Sequence, residues 1–108
     1  MTTIKQPLVI DIAYNNVSMS VKPDPKHPGK FLDVVVPIDW EQVDFTLIKG
    51  VVCKASQSYI TGTYEDTTFG HNWQELARKK QPRGAYHFYS NFRSSGTQAK
   101  EFVAIINK

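Results

Sequence analysis

The sequence predicts an α/β domain built from parallel β/α units, and three observations lead there. Leu8 to Ala13, Val51 to Ser56 and Gly84 to Tyr89 are short runs with the near-continuous apolar character of parallel strands covered on both faces. Each run is followed by a segment carrying helix signals. Alternation of the two in one chain implies a parallel sheet with right-handed crossovers.

The elements follow in order. After the first strand, Val17 to Val21 and Phe31 to Val36 pair as a hairpin across the Pro- and Gly-containing segment Lys22 to Lys30. Asp39, with Gln42 three residues later, spells a capping box for a first helix that runs to about Ile48 and stops at Gly50. The second strand comes next. Asp66 then caps a second helix whose buried stripe is Phe69, Trp73, Leu76 and Ala77, at i, i+4, i+7 and i+8. Lys79 and Lys80 complement the dipole at its C-terminal end, and Pro82 prevents continuation. Beyond the third strand, Ser95 and Gln98 open a third helix with Ala99, Phe102, Val103 and Ile106 as its stripe.

The totals narrow the class. A chain of 108 residues makes one small domain, which buries roughly 60–70% of the surface its unfolded chain exposes. With 41% hydrophobic and 21% charged residues, bulk disorder is excluded. The net charge of +3 and pI near 9.0 suit an anionic partner such as cell wall, nucleic acid or a membrane surface, but select none of them. Arg78, Lys79, Lys80 and Arg83 are the densest basic spots and read as a solvated helix end. Nucleic-acid binding would need a basic stripe, so no nucleic-acid partner is expected.

Cys53 is the single cysteine, which excludes an intrachain disulfide and a cysteine-based metal site. In the run Val51-Val52-Cys53 it reads as a small buried hydrophobe. His27, His71 and His87 have no metal-ligand spacing, and no phosphate loop, nucleophile elbow or dinucleotide fingerprint occurs. Neither cofactor nor metal is expected. The segment Met1 to Pro7 is polar, without the apolar stretch of a signal peptide, and no membrane span is expected.

In parallel β/α folds, ligands bind at the C-terminal edge of the strands. That rule selects Asp11 with Asn15 and Asn16, then Lys54, Ser56 and Gln57, then Tyr86, His87 and Tyr89. An acid within Val9-Ile10-Asp11-Ile12 needs a reason, since a carboxylate is costly to bury unpaired. It is either a functional group or a structural one satisfied by backbone or by Lys54. Lys54 taken alone reads as a strand-end lysine reaching water, and His87 amid aromatics as a hydrogen-bonded core histidine. Tyr86 and Tyr89 suit either stacking on sugar rings or core packing with a hydroxyl at the rim.

The residues also resemble a known family. Val9-Ile10-Asp11-Ile12, Ile38-Asp39-Trp40 with Val43, Lys54-Ala55-Ser56, Tyr64 to Phe69 with Asn72, and Arg83 to Phe88 are similar to the family-25 glycoside hydrolase lysozymes, in that family's order and approximate spacing. The likeness implies a partial, modified TIM-like β/α barrel, with residues 1–108 as the N-terminal half of the family domain and an insertion at about 16–37. It implies a muramidase that cleaves the β-1,4 bond after N-acetylmuramic acid in peptidoglycan, acting on the bacterial cell wall. Asp11 matches the family's active-site aspartate on the first strand and is the expected catalytic residue. Lys54, Ser56, Tyr86 and His87 fall on strand ends lining the sugar groove and are the expected substrate-binding residues.

The chain departs from the family pattern in three ways. The family's catalytic Asp-x-Glu belongs to a fourth strand, so the chain is expected to be truncated before it and inactive alone. Asp39-Trp40-Glu41 has the same spelling but aligns with the first helix. Gln57 stands where many members carry Glu, and residues 16–37 replace a tight turn. A non-catalytic peptidoglycan-binding remnant is the alternative reading. A three-unit piece also leaves an open sheet edge, so association with itself or with a missing half is expected.

Overall fold

The structure, a computed structural model, describes residues 8–108; the reading of residues 1–7 as a polar lead lies outside them. Six strands, a 3₁₀ turn and two helices follow one another: β1 (Leu8–Ile12), β2 (Ser18–Pro23), β3 (Phe31–Val36), the turn Trp40–Gln42, β4 (Ile48–Tyr59), β5 (Gly62–Glu65), α1 (Phe69–Arg78), β6 (Arg83–Phe88) and α2 (Ser95–Ile106). β4 is the centre. β1 pairs parallel with its first half on one edge, from Leu8↔Ile48 to Ile12↔Cys53, and β6 pairs parallel along the other, from Val51↔Arg83 to Gln57↔Phe88. The three strands expected to be parallel are therefore parallel and adjacent, although four strands form an open sheet among the described residues and no barrel closes.

The fourth strand was not expected. β4 runs on past Ser56 to Tyr59 and turns back through Ile60 and Thr61 into β5, which pairs antiparallel on the edge that β1 leaves. Tyr59-Ile60-Thr61-Gly62-Thr63-Tyr64 carries the signal, β-formers around a glycine at a two-residue turn.

The expected helix at 39–48 is corrected to a single 3₁₀ turn. Asp39 does cap it, accepting from the Glu41 backbone N–H at 3.1 Å and from Gln42 Nε2 at 3.1 Å. Val43 is already extended, and Asp44 accepts from both the backbone N–H and the hydroxyl of Thr46, at 2.9 and 2.5 Å, which closes a separate turn. A side chain that offers the backbone a local partner competes with the helix ladder. Gly50, expected to stop that helix, lies inside β4.

The core forms where β1, the 3₁₀ turn, β4 and α1 meet, with Ile12, Trp40, Val51, Cys53, Ala55, Phe69 and Leu76 buried. Trp40 Nε1–H donates to Asn72 Oδ1 at 3.0 Å, so the buried indole and the buried amide satisfy each other. Asn72 thus replaces Ala77 on the inner face of α1, and Ala77 is exposed. Arg78 pairs with Glu75 and Glu41, and Lys79 with Glu41, which ties the 3₁₀ turn to the helix end. α2 covers less: Phe102, Ile105 and Ile106 are half-buried, while Ala99 and Val103 are exposed.

The hairpin β2–β3 forms as expected, in register from Ser18↔Val36 to Pro23↔Phe31. It projects from the rest: all but Val34 of its strand residues are exposed. The radius of gyration is accordingly 17.4 Å, against about 13 Å for a compact chain of this length. Among the described residues no helix is long and apolar enough to cross a membrane.

α1 ends before Pro82 acts. Lys80 takes a left-handed conformation at φ 55, the Gln81 N–H reaches Leu76 O at 3.0 Å and the Lys80 N–H reaches Ala77 O at 3.0 Å, the double closure of a Schellman end. A lysine side chain makes that conformation costly. Lys80→Gly is therefore expected to raise unfolding stability by about 0.5–1 kcal/mol, read from the urea midpoint. Burial pushes the Cys53 thiol up to about 11. Native protein at pH 9 should then react with iodoacetamide far more slowly than protein unfolded in guanidinium, where the thiol titrates near its ordinary value.

Candidate functional site

The C-terminal ends of β1, β4 and β6 open onto a groove of about 490 Å³. Asp11, Ile12 and Ala13 line it from β1 and its end, Tyr14, Asn15 and Asn16 from the turn that follows, Lys54, Gln57 and Tyr59 from β4, and Tyr86 and Phe88 from β6. Asp11, Lys54 and Tyr86 thus share one groove. Asp11 sits between Ile10 and Ile12, which pack toward the core, so alternation turns its carboxylate outward to an exposed position. No burial cost arises.

One irregularity in β4 decides the rest. The β4–β6 register slips between Lys54 and Ser56: Lys54 pairs with Tyr86 and Ser56 already pairs with His87. Ala55 is the additional residue, a bulge that reverses which face the following side chains take. Before it, Lys54 looks into the groove and Val51, Cys53 and Ala55 into the core; after it, Gln57 and Tyr59 line the groove. Ser56 and Ser58 turn toward the helices.

Ser56 and His87 consequently lie behind the groove, not in its lining. Ser56 Oγ meets His87 Nδ1 at 2.7 Å, while His87 Nε2 lies 3.1 Å from Ser58 Oγ and 2.8 Å from Gln98 Oε1. Gln98 is almost fully buried. Its amide nitrogen donates to Ser90 O at 2.7 Å and Arg93 O at 3.0 Å, and its oxygen accepts from the Ser90 N–H at 3.0 Å. These three backbone contacts fix the amide orientation. Nε2 of a neutral His87 must then carry the proton toward Gln98 Oε1, and Nδ1 accepts from Ser56. The network locks the loop after β6 to α2.

Lys54 is 7% exposed, and its ammonium donates to Gln57 Oε1. It also lies 5.3 Å from the centroid of the Tyr14 ring and 5.0 Å from that of Phe88. Tyr14 is held by its backbone N–H donating to Asp66 Oδ2 at 2.8 Å, across from the start of α1. The other Asp66 oxygen accepts from the Thr68 backbone N–H and hydroxyl, at 2.9 and 2.7 Å, so Asp66 organises the turn before α1 rather than its cap position. Asn16 closes the rim turn by accepting from the Ala13 N–H at 2.8 Å. Burial first, and then the Asp11 and Asp66 carboxylates, raise the Tyr86 phenol above its ordinary value.

A family model for the glycosyl hydrolases family 25 matches residues 36–108. The chain belongs to that family. No curated protein and no solved structure matches it. Family membership makes it a glycoside-hydrolase sequence, and the matched span carries Lys54, Gln57, Tyr86 and the bulge between them. Asp11 precedes that span.

Sequence reasoning passed over Tyr14, Tyr59, Phe88 and Gln98. Tyr14 gave no signal, since its place depends on Asp66, 52 residues away. Gln98 was visible only as a capping residue. Glu41, in the Asp39-Trp40-Glu41 spelling, is engaged by Arg78 and Lys79. Arg83 stacks on Trp73, 3.7 Å from its centroid. Among the described residues no cluster of His, Cys, Asp or Glu could hold a metal ion.

Gln98→Leu would strand the Ser90 N–H and the Ser90 and Arg93 carbonyls. It is expected to lower stability by on the order of 3 kcal/mol, measured by urea unfolding.

Proposed function

We propose that this chain is the sugar-binding half of a peptidoglycan hydrolase, a muramidase of the cell wall that cleaves the β-1,4 bond after N-acetylmuramic acid. The observation that carries the reading is the convergence of Asp11, Lys54 and Tyr86 on one groove at the ends of three parallel strands. A pyranose ring lies along such a groove with its faces against tyrosine and phenylalanine and its hydroxyls toward Asn15, Asn16 and Gln57. Asp11 sits exposed at one wall, where its charge supports the oxocarbenium-like centre that glycoside cleavage generates.

Cleavage needs a second group, an acid that protonates the leaving oxygen. Asp11 is the only carboxylate among the described residues lining this groove. The proton donor accordingly comes from a further β/α unit, added at the β6 edge, and the 108 residues alone bind glycan without cutting it. Ser56 and His87, in this reading, hold the groove wall in place and do not touch the sugar. The substrate places the site of action at the bacterial wall. The same single carboxylate keeps a glycan-binding module without catalysis as the second reading.

Two measurements test it. A cell-wall suspension treated with the purified 108-residue chain should keep its turbidity. In an active longer protein carrying this sequence, Asp11→Asn should lower kcat on the order of 10²–10³-fold with little change in thermal midpoint; unchanged turnover would remove Asp11 from the chemistry. The open β6 edge adds an expectation for the short chain: sedimentation velocity should show concentration-dependent association, and a monomer at all concentrations would count against a missing neighbour there.

A further inference from the structure

Lys54 is the most unusual charge in the molecule. It is 7% exposed and lies at the floor of the groove. Yet none of the ion pairs among the described residues involves it. Its one hydrogen-bond partner among the described residues, the Gln57 side-chain oxygen, is neutral. The rings of Tyr14 and Phe88 flank it, at 5.3 and 5.0 Å, and stabilise a cation without neutralising it.

The nearby acids are engaged elsewhere. Asp66 accepts from the Tyr14 N–H and twice from Thr68, and Glu65 pairs with Lys108 at 2.9 Å. Asp11 stands level with Val52, two residues back along β4 from Lys54, a step of ~7 Å along the strand. An ammonium has three donors, and Gln57 takes one. A buried cation left in this state calls for an anionic partner.

We infer that Lys54 is a specificity residue that receives a carboxylate carried by the sugar, so that the groove takes acidic wall saccharides in preference to neutral ones of the same backbone. The inference rests on the sugar-groove reading above. The carboxylate sits on the Gln57–Phe88 side of Lys54, one step up the groove from Asp11 and clear of its repulsion. Position 57 tunes the preference, because a neutral amide leaves the Lys54 charge uncompensated, where an acid would quench it. The carboxylate has two chemical sources in wall fragments: the free lactyl group of a muramyl sugar, and an acid on an attached stem peptide.

The test is titration calorimetry on the 108-residue chain with four probes. They are a neutral N-acetylglucosamine oligomer, an N-acetylglucosaminyl-N-acetylmuramic acid oligomer of equal length, its lactyl methylamide, and the same oligomer bearing a short acidic peptide. Binding of the free-acid oligomer about tenfold or more tighter than the neutral oligomer and the methylamide assigns the lactyl group. If the peptide-bearing oligomer alone gains, the stem acid is the source.

Lys54→Met, which keeps the alkyl packing, should abolish that gain, read as the ratio of free-acid to neutral-oligomer affinity falling to about one. Gln57→Glu, which leaves Lys54 in place, should reduce the gain as well. The gain itself should shrink in high salt. Equal binding of acidic and neutral probes, or a gain that survives Lys54→Met, overturns the inference and leaves the groove reading standing. No binding of any of the four overturns both.

Discussion

One additional residue in β4, at Ala55, determines what each face of the sheet contains. A strand alternates its side chains strictly, so a single insertion exchanges the two faces from that point on. Here the exchange carries Gln57 and Tyr59 into the groove beside Lys54, and sends Ser56 and Ser58 behind it to His87. Without the bulge, Gln57 would face the helices and Lys54 would lose its only hydrogen-bond partner among the described residues. The groove wall and the buried polar network exist because of the same irregularity.

Behind the sheet, the network does structural duty for the rim. Gln98 reaches from α2 to three backbone groups of the loop after β6, and its oxygen orients His87 at the same time. In front, Asp66 holds Tyr14 over Lys54 from the start of α1. Both are contacts made by polar side chains buried against the sheet, where an unpaired group would be costly. They make the rim a rigid product of the helices rather than of the loops themselves. The projecting β2–β3 hairpin takes no part in this frame.

The electrostatic picture is asymmetric along the groove. A carboxylate, Asp11, stands at one wall, and the Lys54 ammonium, in no ion pair among the described residues, stands at the floor two residues further along β4. Some other cations are paired: Arg78 and Lys79 with Glu41, and Arg93 with Glu101.

By itself the sequence determined the three parallel strands, the outlying hairpin and the two principal helices, because apolar runs, caps and turn residues are local signals read over a few positions. It also expected Asp11, Lys54 and Tyr86 at strand ends, whereas Lys54 lies within β4, which runs on to Tyr59. It overextended the helix at 39–48, where the Asp44–Thr46 turn outweighed the capping pattern. Only the tertiary structure decided that Ser56 and His87 face away from the groove, that Tyr14 covers Lys54, and that Lys54 is buried without an acid. The physical reason is common to all three. A bulge is a register relation between two strands, and a missing countercharge is a relation among elements, so neither is carried by the residues of any single segment.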